Sequence, residues 1–125
     1  MIEQIKKRKP VKIVKKAWGS ETWIVNNEEY CGKILKFNSG KEFSLHFHVE
    51  KKETFFVLSG KINLKYFNLS NAKEINITLS EGDIVDIPRF NPHKIKCIED
   101  ATIIEFSTKH NDYDSYRIEK GDSQK

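Results

Sequence analysis

The residues best suited to chemistry are His46, His48 and Glu53, which fall within one short stretch, and His93, which lies further on in EGDIVDIPRFNPH. Read as an extended strand, residues 42–48 alternate: Phe43, Leu45 and Phe47 point one way, and Glu42, Ser44, His46 and His48 the other. A rise of about 3.3 Å per residue sets the Cβ atoms of His46 and His48 roughly 7 Å apart. From there two imidazole nitrogens can converge on one ion at bond lengths of about 2.0–2.1 Å. Val49–Lys52 reads as a turn, and Glu53 opens a second strand folded beside the first, with Phe55 and Val57 on its face. A lone strand histidine is ordinarily a surface or core residue; two on one face, with a carboxylate across a turn, argue for a metal site. Imidazole and carboxylate donors suit Zn, Mn, Fe, Ni or Cu, and with no cysteine in the set the donors do not choose among them.

The elements that must position these groups read as short strands. VKIVK (11–15) alternates like an edge strand, and ETWIVN (21–26) and EYCGKILKFN (29–38) follow. Asn38-Ser39-Gly40 is a turn leading into the histidine strand. Ser59-Gly60 reads as a tight hairpin turn between strands 53–59 and 61–67. KEINITL (73–79), DIVDIP (83–88), HKIKC (93–97) and ATIIEF (101–106) complete the set, with Asp100 turning the chain between the last two. No apolar residues recur at helical spacing over three turns, so the pattern is all-β, a barrel or sandwich. Residues 109–125 are polar and should wrap or fray.

On these residues a resemblance becomes specific. Gly40-x5-His46-x-His48-x4-Glu53-x6-Gly60 is similar to the first motif of the cupin superfamily, and Gly82-x5-Pro88 with His93 to the second. Two positions depart: Phe90 stands where a glycine is usual, and Cys97 where an asparagine is usual. Neither position is a ligand in the family. The resemblance covers residues 11–117 and implies a double-stranded β-helix, the cupin jelly-roll barrel, with His46, His48, Glu53 and His93 around one divalent metal ion (Zn, Mn, Fe or Ni). The domain reading is a basic N-terminal arm (1–10), one barrel (11–117) and a polar tail (118–125). AWGSETW (17–23) and IEFSTKHNDYDSYR (104–117) resemble small cupins of the mannose-6-phosphate isomerase group (type II, C-terminal domain), with Asp114 and Arg117 matching that group's closing element. That resemblance implies a metal-dependent sugar or sugar-phosphate isomerase acting on a small-molecule sugar derivative. Its rivals are an iron-dependent dioxygenase of the cupin type and a non-catalytic sugar-binding module. For the general base the residues offer Glu105, on the last strand, and Glu42, on the histidine face. Arg89, in the loop before His93, is a candidate to bind an anionic group.

Composition narrows the partners. Of the net charge of +4, residues 1–16 hold seven Lys or Arg against Glu3, so the rest of the chain is slightly acidic. No aromatic residues interleave with those lysines and the body has no basic stripe, which disfavours nucleic acid. No apolar run reaches the 18 or more residues of a membrane span. The N-terminus has charge without an apolar segment behind it, so a cytoplasmic location with Cys31 and Cys97 reduced is expected. If the histidines look inward, Phe43, Leu45, Phe47, Phe56 and Leu58 look outward, to be covered by residues 11–25 or by a second subunit; a homodimer burying Phe43, Phe47 and Phe56 is the commoner answer and the expectation.

Overall fold

The structure is a computed structural model and describes residues 2–125. It contains nine strands: β1 (Lys12–Lys16), β2 (Gly19–Asn26), β3 (Cys31–Phe37), β4 (Leu45–Phe47), β5 (Glu53–Phe67), β6 (Glu74–Ser80), β7 (Ile84–Ile87), β8 (His93–Ser107) and β9 (Tyr116–Glu119). Among the described residues the helical segments are two 3-10 turns, Asp112–Asp114 and Asp122–Gln124, and no helix is long and apolar enough to cross a membrane.

Two long strands make the frame. β5 and β8 pair antiparallel from Glu53↔Ser107 to Tyr66↔His93, with register shifts between Val57 and Ile62. Either side of that irregularity the partners change: β7 and β3 flank the Glu53–Val57 half, while β6 and β4 flank the Lys61–Phe67 half. The sheet therefore curls on itself as an antiparallel barrel, a fold expected from the strand pattern. The expected hairpin turn at Ser59-Gly60 is not one, nor is the break at Asp100. Both strands run through, and Gly60 (φ +86°) forms the bulge that bends them. A Cβ there would sit 2.2 Å from the Asp100 carbonyl oxygen and 2.6 Å from Ala101 Cα, so the turn-like residue is needed for close strand approach.

Inward-facing residues form two zones. Leu35, Phe37, Val57, Ile62, Leu64, Ile95, Cys97 and Ile103 make a dry apolar core. Towards one end the same strand faces turn polar, with Lys33, Glu53, His93 and Glu105 all buried. Cys31 and Cys97 are free and buried.

The histidine strand departs from strict alternation. Only Leu45–Phe47 is regular, Glu42 makes an isolated bridge to Lys96, and the register against β9 shifts between Leu45 and His46. Phe43 consequently turns inward: its ring lies 5.0 Å from His46 and 5.8 Å from Phe37. Leu45 is buried, and Phe47 stacks on Tyr116 of β9 at 5.1 Å. The outward apolar face expected at Phe43, Leu45 and Phe47 is thus taken up within the chain. The C-terminal segment wraps rather than frays, because β9 adds to β4 and the Asp122 carboxylate accepts from the Glu42 amide at 2.7 Å.

Candidate metal centre

Each candidate ligand stands at or just beyond a strand end. His46 lies on β4, His48 follows it, Glu53 begins β5 and His93 begins β8, where it is the direct cross-strand partner of His46. The ring centroids of His46 and His48 lie 4.9 Å apart, and those of His46 and His93 4.6 Å. One ligand atom from each of the three imidazoles falls within 4.8 Å of the others.

Main-chain carbonyls fix the tautomers. Nδ1 of His46 meets the Ser44 carbonyl at 2.7 Å, that of His48 the Asp114 carbonyl at 2.9 Å, and that of His93 the Asn91 carbonyl at 2.9 Å. A carbonyl can only accept, so each Nδ1 carries the proton and donates, leaving each Nε2 as a lone pair. Burial pushes His46 well below the ordinary imidazole range, with further lowering from His93 and His48. Burial also lowers His48, against an opposing pull from Glu53.

Glu53 completes the set. Its Oε1 lies 2.9 Å from His93 Nε2 and 3.6 Å from His48 Nε2. Both of its carboxylate oxygens and His93 Nε2 are buried without a hydrogen-bond partner among the described residues. Electron pairs facing each other in a dry wall need a cation between them. Three neutral imidazole nitrogens and a carboxylate are the donor set a divalent first-row ion takes, so the residues fit a metal. Burial drives Glu53 up, but the Lys51 ammonium outweighs it and holds the carboxyl well below the usual range.

Lys51 was not legible as a functional residue, since Val49–Lys52 reads only as a turn. The side chain is buried, and its Nζ lies 3.2 Å from Glu53 Oε2, 3.2 Å from Glu105 Oε2 and 3.1 Å from His110 Nδ1. Glu105 and His110 accept hydrogen bonds from the ammonium, and Glu53 is its ion-pair partner. Burial pulls Lys51 down, yet Glu105 and Glu53 more than reverse it and raise its pKa. Because His110 accepts from Lys51 at Nδ1, it carries its proton on Nε2 and donates to Asp112 at 3.0 Å. Asp114 shapes the turn: its carboxylate accepts from the amides of Val49, Glu50 and Lys51 at 2.9–3.2 Å.

The other candidates divide. Glu105 is buried in the wall of a cavity of about 390 Å³ that also bears His46, His48, Glu53 and Lys51. Glu42 is not on that wall: the irregular backbone at 41–44 turns it to Lys94, 3.0 Å away. Arg89 is exposed, and its Nε donates to the Glu50 carbonyl at 2.6 Å, which holds it off the cavity. Phe90 adopts φ +71°, the left-handed backbone that a glycine would take there, so the loop keeps its shape and its amide donates to the His48 carbonyl at 2.8 Å.

Fold and site together define a cupin-type β-barrel in which His46, His48 and His93 cluster as a candidate metal centre. The sequence profile of the family described as "Polysaccharide biosynthesis C-terminal domain" matches residues 24–120, and the chain belongs to that family. No curated protein matches it in sequence. Among solved structures it resembles CapF, the capsular polysaccharide assembling protein of Staphylococcus aureus, with TM-score 0.77 and 24% identity over 88% of this chain and 34% of that one. CapF solved with the inhibitor 3-isopropenyl-tropolone matches at TM-score 0.76 and 23% identity, over 88% and 34% of the two chains. Oxalate decarboxylase from Bacillus subtilis matches at TM-score 0.74 and 17% identity, over 84% and 29%. The chain thus spans about a third of the length of these structures. At such identities the likeness establishes the fold.

Proposed function

We propose that the chain is a metal-dependent isomerase of a carbonyl sugar derivative. The observation that carries the reading is the meeting, in one cavity, of a divalent-ion donor set with a buried ammonium–carboxylate pair, Lys51 and Glu105. A divalent ion held by His46, His48, His93 and Glu53 supplies Lewis-acid polarisation of a substrate oxygen.

The remaining work falls to side chains of the cavity wall. Glu105 is placed to take a proton from the carbon beside a carbonyl and to return it to the neighbouring carbon, the shuttle that aldose–ketose isomerisation requires. Ser107 Oγ donates to Glu105 Oε2 at 3.3 Å and helps hold the carboxylate in place. The Lys51 ammonium stabilises negative charge on the wall while the proton is on Glu105. Phe43 and Phe55, also on that wall, keep it dry. The family's description and the printed name of CapF support a sugar as substrate, in line with the resemblance to the mannose-6-phosphate isomerase group. Arg117 of that group's closing element lines the cavity, while Asp114 serves the 49–51 turn. Phe56 remains on the outer sheet face beside Ile84 and Ile104, its cross-strand partners, as the surface a homodimer would bury.

The test is deuterium exchange at C2 of mannose 6-phosphate and related sugars, with metal-loaded and metal-stripped protein. Metal-dependent exchange that Glu105→Gln lowers about 10²-fold or more at unchanged metal content is the expected result. Sugar binding without exchange would make the chain a binding module, and dioxygen consumption with iron bound would make it an oxygenase.

A further inference from the structure

Lys12, Trp23 and Lys33 are Cα partners across β1, β2 and β3 and form one inward row. The two ammonium groups lie 4.0 Å and 3.9 Å from the Trp23 ring centre. The indole is held by its Nε1, which donates to Glu21 Oε1 at 3.0 Å. Lys33 is only 3% exposed, makes no hydrogen bond among the described residues, and has its nearest carboxylate, Glu21, at 3.9 Å. Lys51, equally buried, makes two hydrogen bonds and an ion pair; Lys33 makes no hydrogen bond. Its ammonium opens on the cavity, and the aromatic face offsets only part of the cost of having no acceptor within the described residues.

Both lysines line the metal cavity, together with Lys16 and Arg117. The cations outnumber the carboxylates on that side: Lys12, Lys16, Lys33 and Arg117 face Glu21, which also takes the Trp23 N–H, and Asp112, which takes the His110 N–H. The excess charge at this end is therefore cationic, and an anionic ligand entering the cavity would supply the acceptor that Lys33 lacks within the described residues. We propose that Lys33 and Lys12 form a subsite for a phosphoryl oxyanion carried by the substrate. The proposal rests on the isomerase reading and names its substrate class, a sugar bearing a phosphate ester, with the anion anchored on β1–β3 and the reacting carbons towards Glu105. Several uncommitted cations favour a dianion over a singly charged carboxylate.

The experiment titrates the metal-loaded protein with inorganic phosphate and, separately, with acetate at matched ionic strength. The indole N–H resonances of Trp18 and Trp23 are followed by NMR. Phosphate should move the Trp23 resonance saturably and by more than that of Trp18, which lines the same cavity but contacts neither Lys12 nor Lys33 through its ring. Acetate should bind about tenfold more weakly or worse, Lys33→Met should weaken phosphate about tenfold, and Lys33→Arg should retain it. Lys12→Met, at an exposed position, gives the same test if Lys33→Met does not fold. Phosphate affinity unchanged in these variants, acetate binding as well as phosphate, or no shift of Trp23 would overturn the subsite. Phosphate binding without exchange on any sugar brings down the isomerase reading alone. Exchange on a phosphorylated sugar with an unchanged KM in Lys33→Met brings down the subsite alone.

Discussion

Replacing Lys51 by Met removes the charge that sits between two buried carboxylates while keeping the length of the side chain. Glu53 and Glu105, each 3.2 Å from Nζ, are left without their cation, and His110 Nδ1 loses its donor. Removing one partner of a buried ion pair costs about 3–5 kcal/mol, because an uncompensated charge stays in the wall. With about 4 °C lost per kcal/mol for a domain of this size, the melting temperature of metal-free protein should fall by roughly 12–20 °C. Lys52→Met, one residue on and exposed, should stay within about 0.5 kcal/mol of wild type. The pH dependence adds a second signature. Without the ammonium, burial raises the folded pKa of Glu53 above its unfolded value of about 4.3, so the folded state binds the extra proton and the deficit shrinks as pH falls from 7 towards 4. Urea unfolding of chelator-dialysed protein at pH 7 and pH 5 measures both. A deficit under about 1 kcal/mol at pH 7, or one that does not change with pH, would refute the assignment of Lys51 as the shared counter-charge.

Gly60→Ala should cost about 3 kcal/mol or more, or prevent folding, because its Cβ would lie 2.2 Å from a backbone oxygen; Gly82→Ala, with φ +89° but nothing within 4 Å, should cost only about 1–2 kcal/mol by the same unfolding assay. His110 is pushed down to about 4, by burial first and then by Lys51 and Lys33. Its folded pKa lies below its unfolded value of about 6.5, so the stability it contributes is complete above that pH and is lost as pH falls from about 6.5 to 4. Allowing for partial solvent access, the loss should be about 1–2 kcal/mol, and His110→Gln should flatten the stability profile in that window; an unchanged slope in the variant would contradict it.

The ligand set was legible because strand periodicity and a four-residue turn act locally: His46, His48 and Glu53 need only one hairpin to meet. His93 required the motif spacing, since nothing near it in sequence says that it will face His46 across β4 and β8. The long strands β5 and β8 were not legible. Ser59-Gly60 has turn chemistry, and only the partner strand's backbone at Asp100 and Ala101 shows that the glycine serves a bulge. The inward turn of Phe43 was hidden for a related reason, because strict alternation fails where residues 41–44 leave the ladder. Lys51 was hidden because Lys51 and Lys52 are chemically alike, and only the Asp114 carboxylate, 63 residues away, aims one of them into the barrel. Arg89 looked available as a loop cation until the Glu50 carbonyl was seen to hold it.

Metal content before and after removal of one ligand tests the central claim most directly. Protein purified without an affinity tag, reconstituted with Zn, Mn, Fe or Ni in turn and desalted, should carry one divalent ion per chain for at least one of them. His93→Ala should lose it, whereas the exposed Arg89→Ala should not. Absence of stoichiometric metal under every reconstitution, or full retention in His93→Ala, would contradict the centre built from His46, His48, Glu53 and His93.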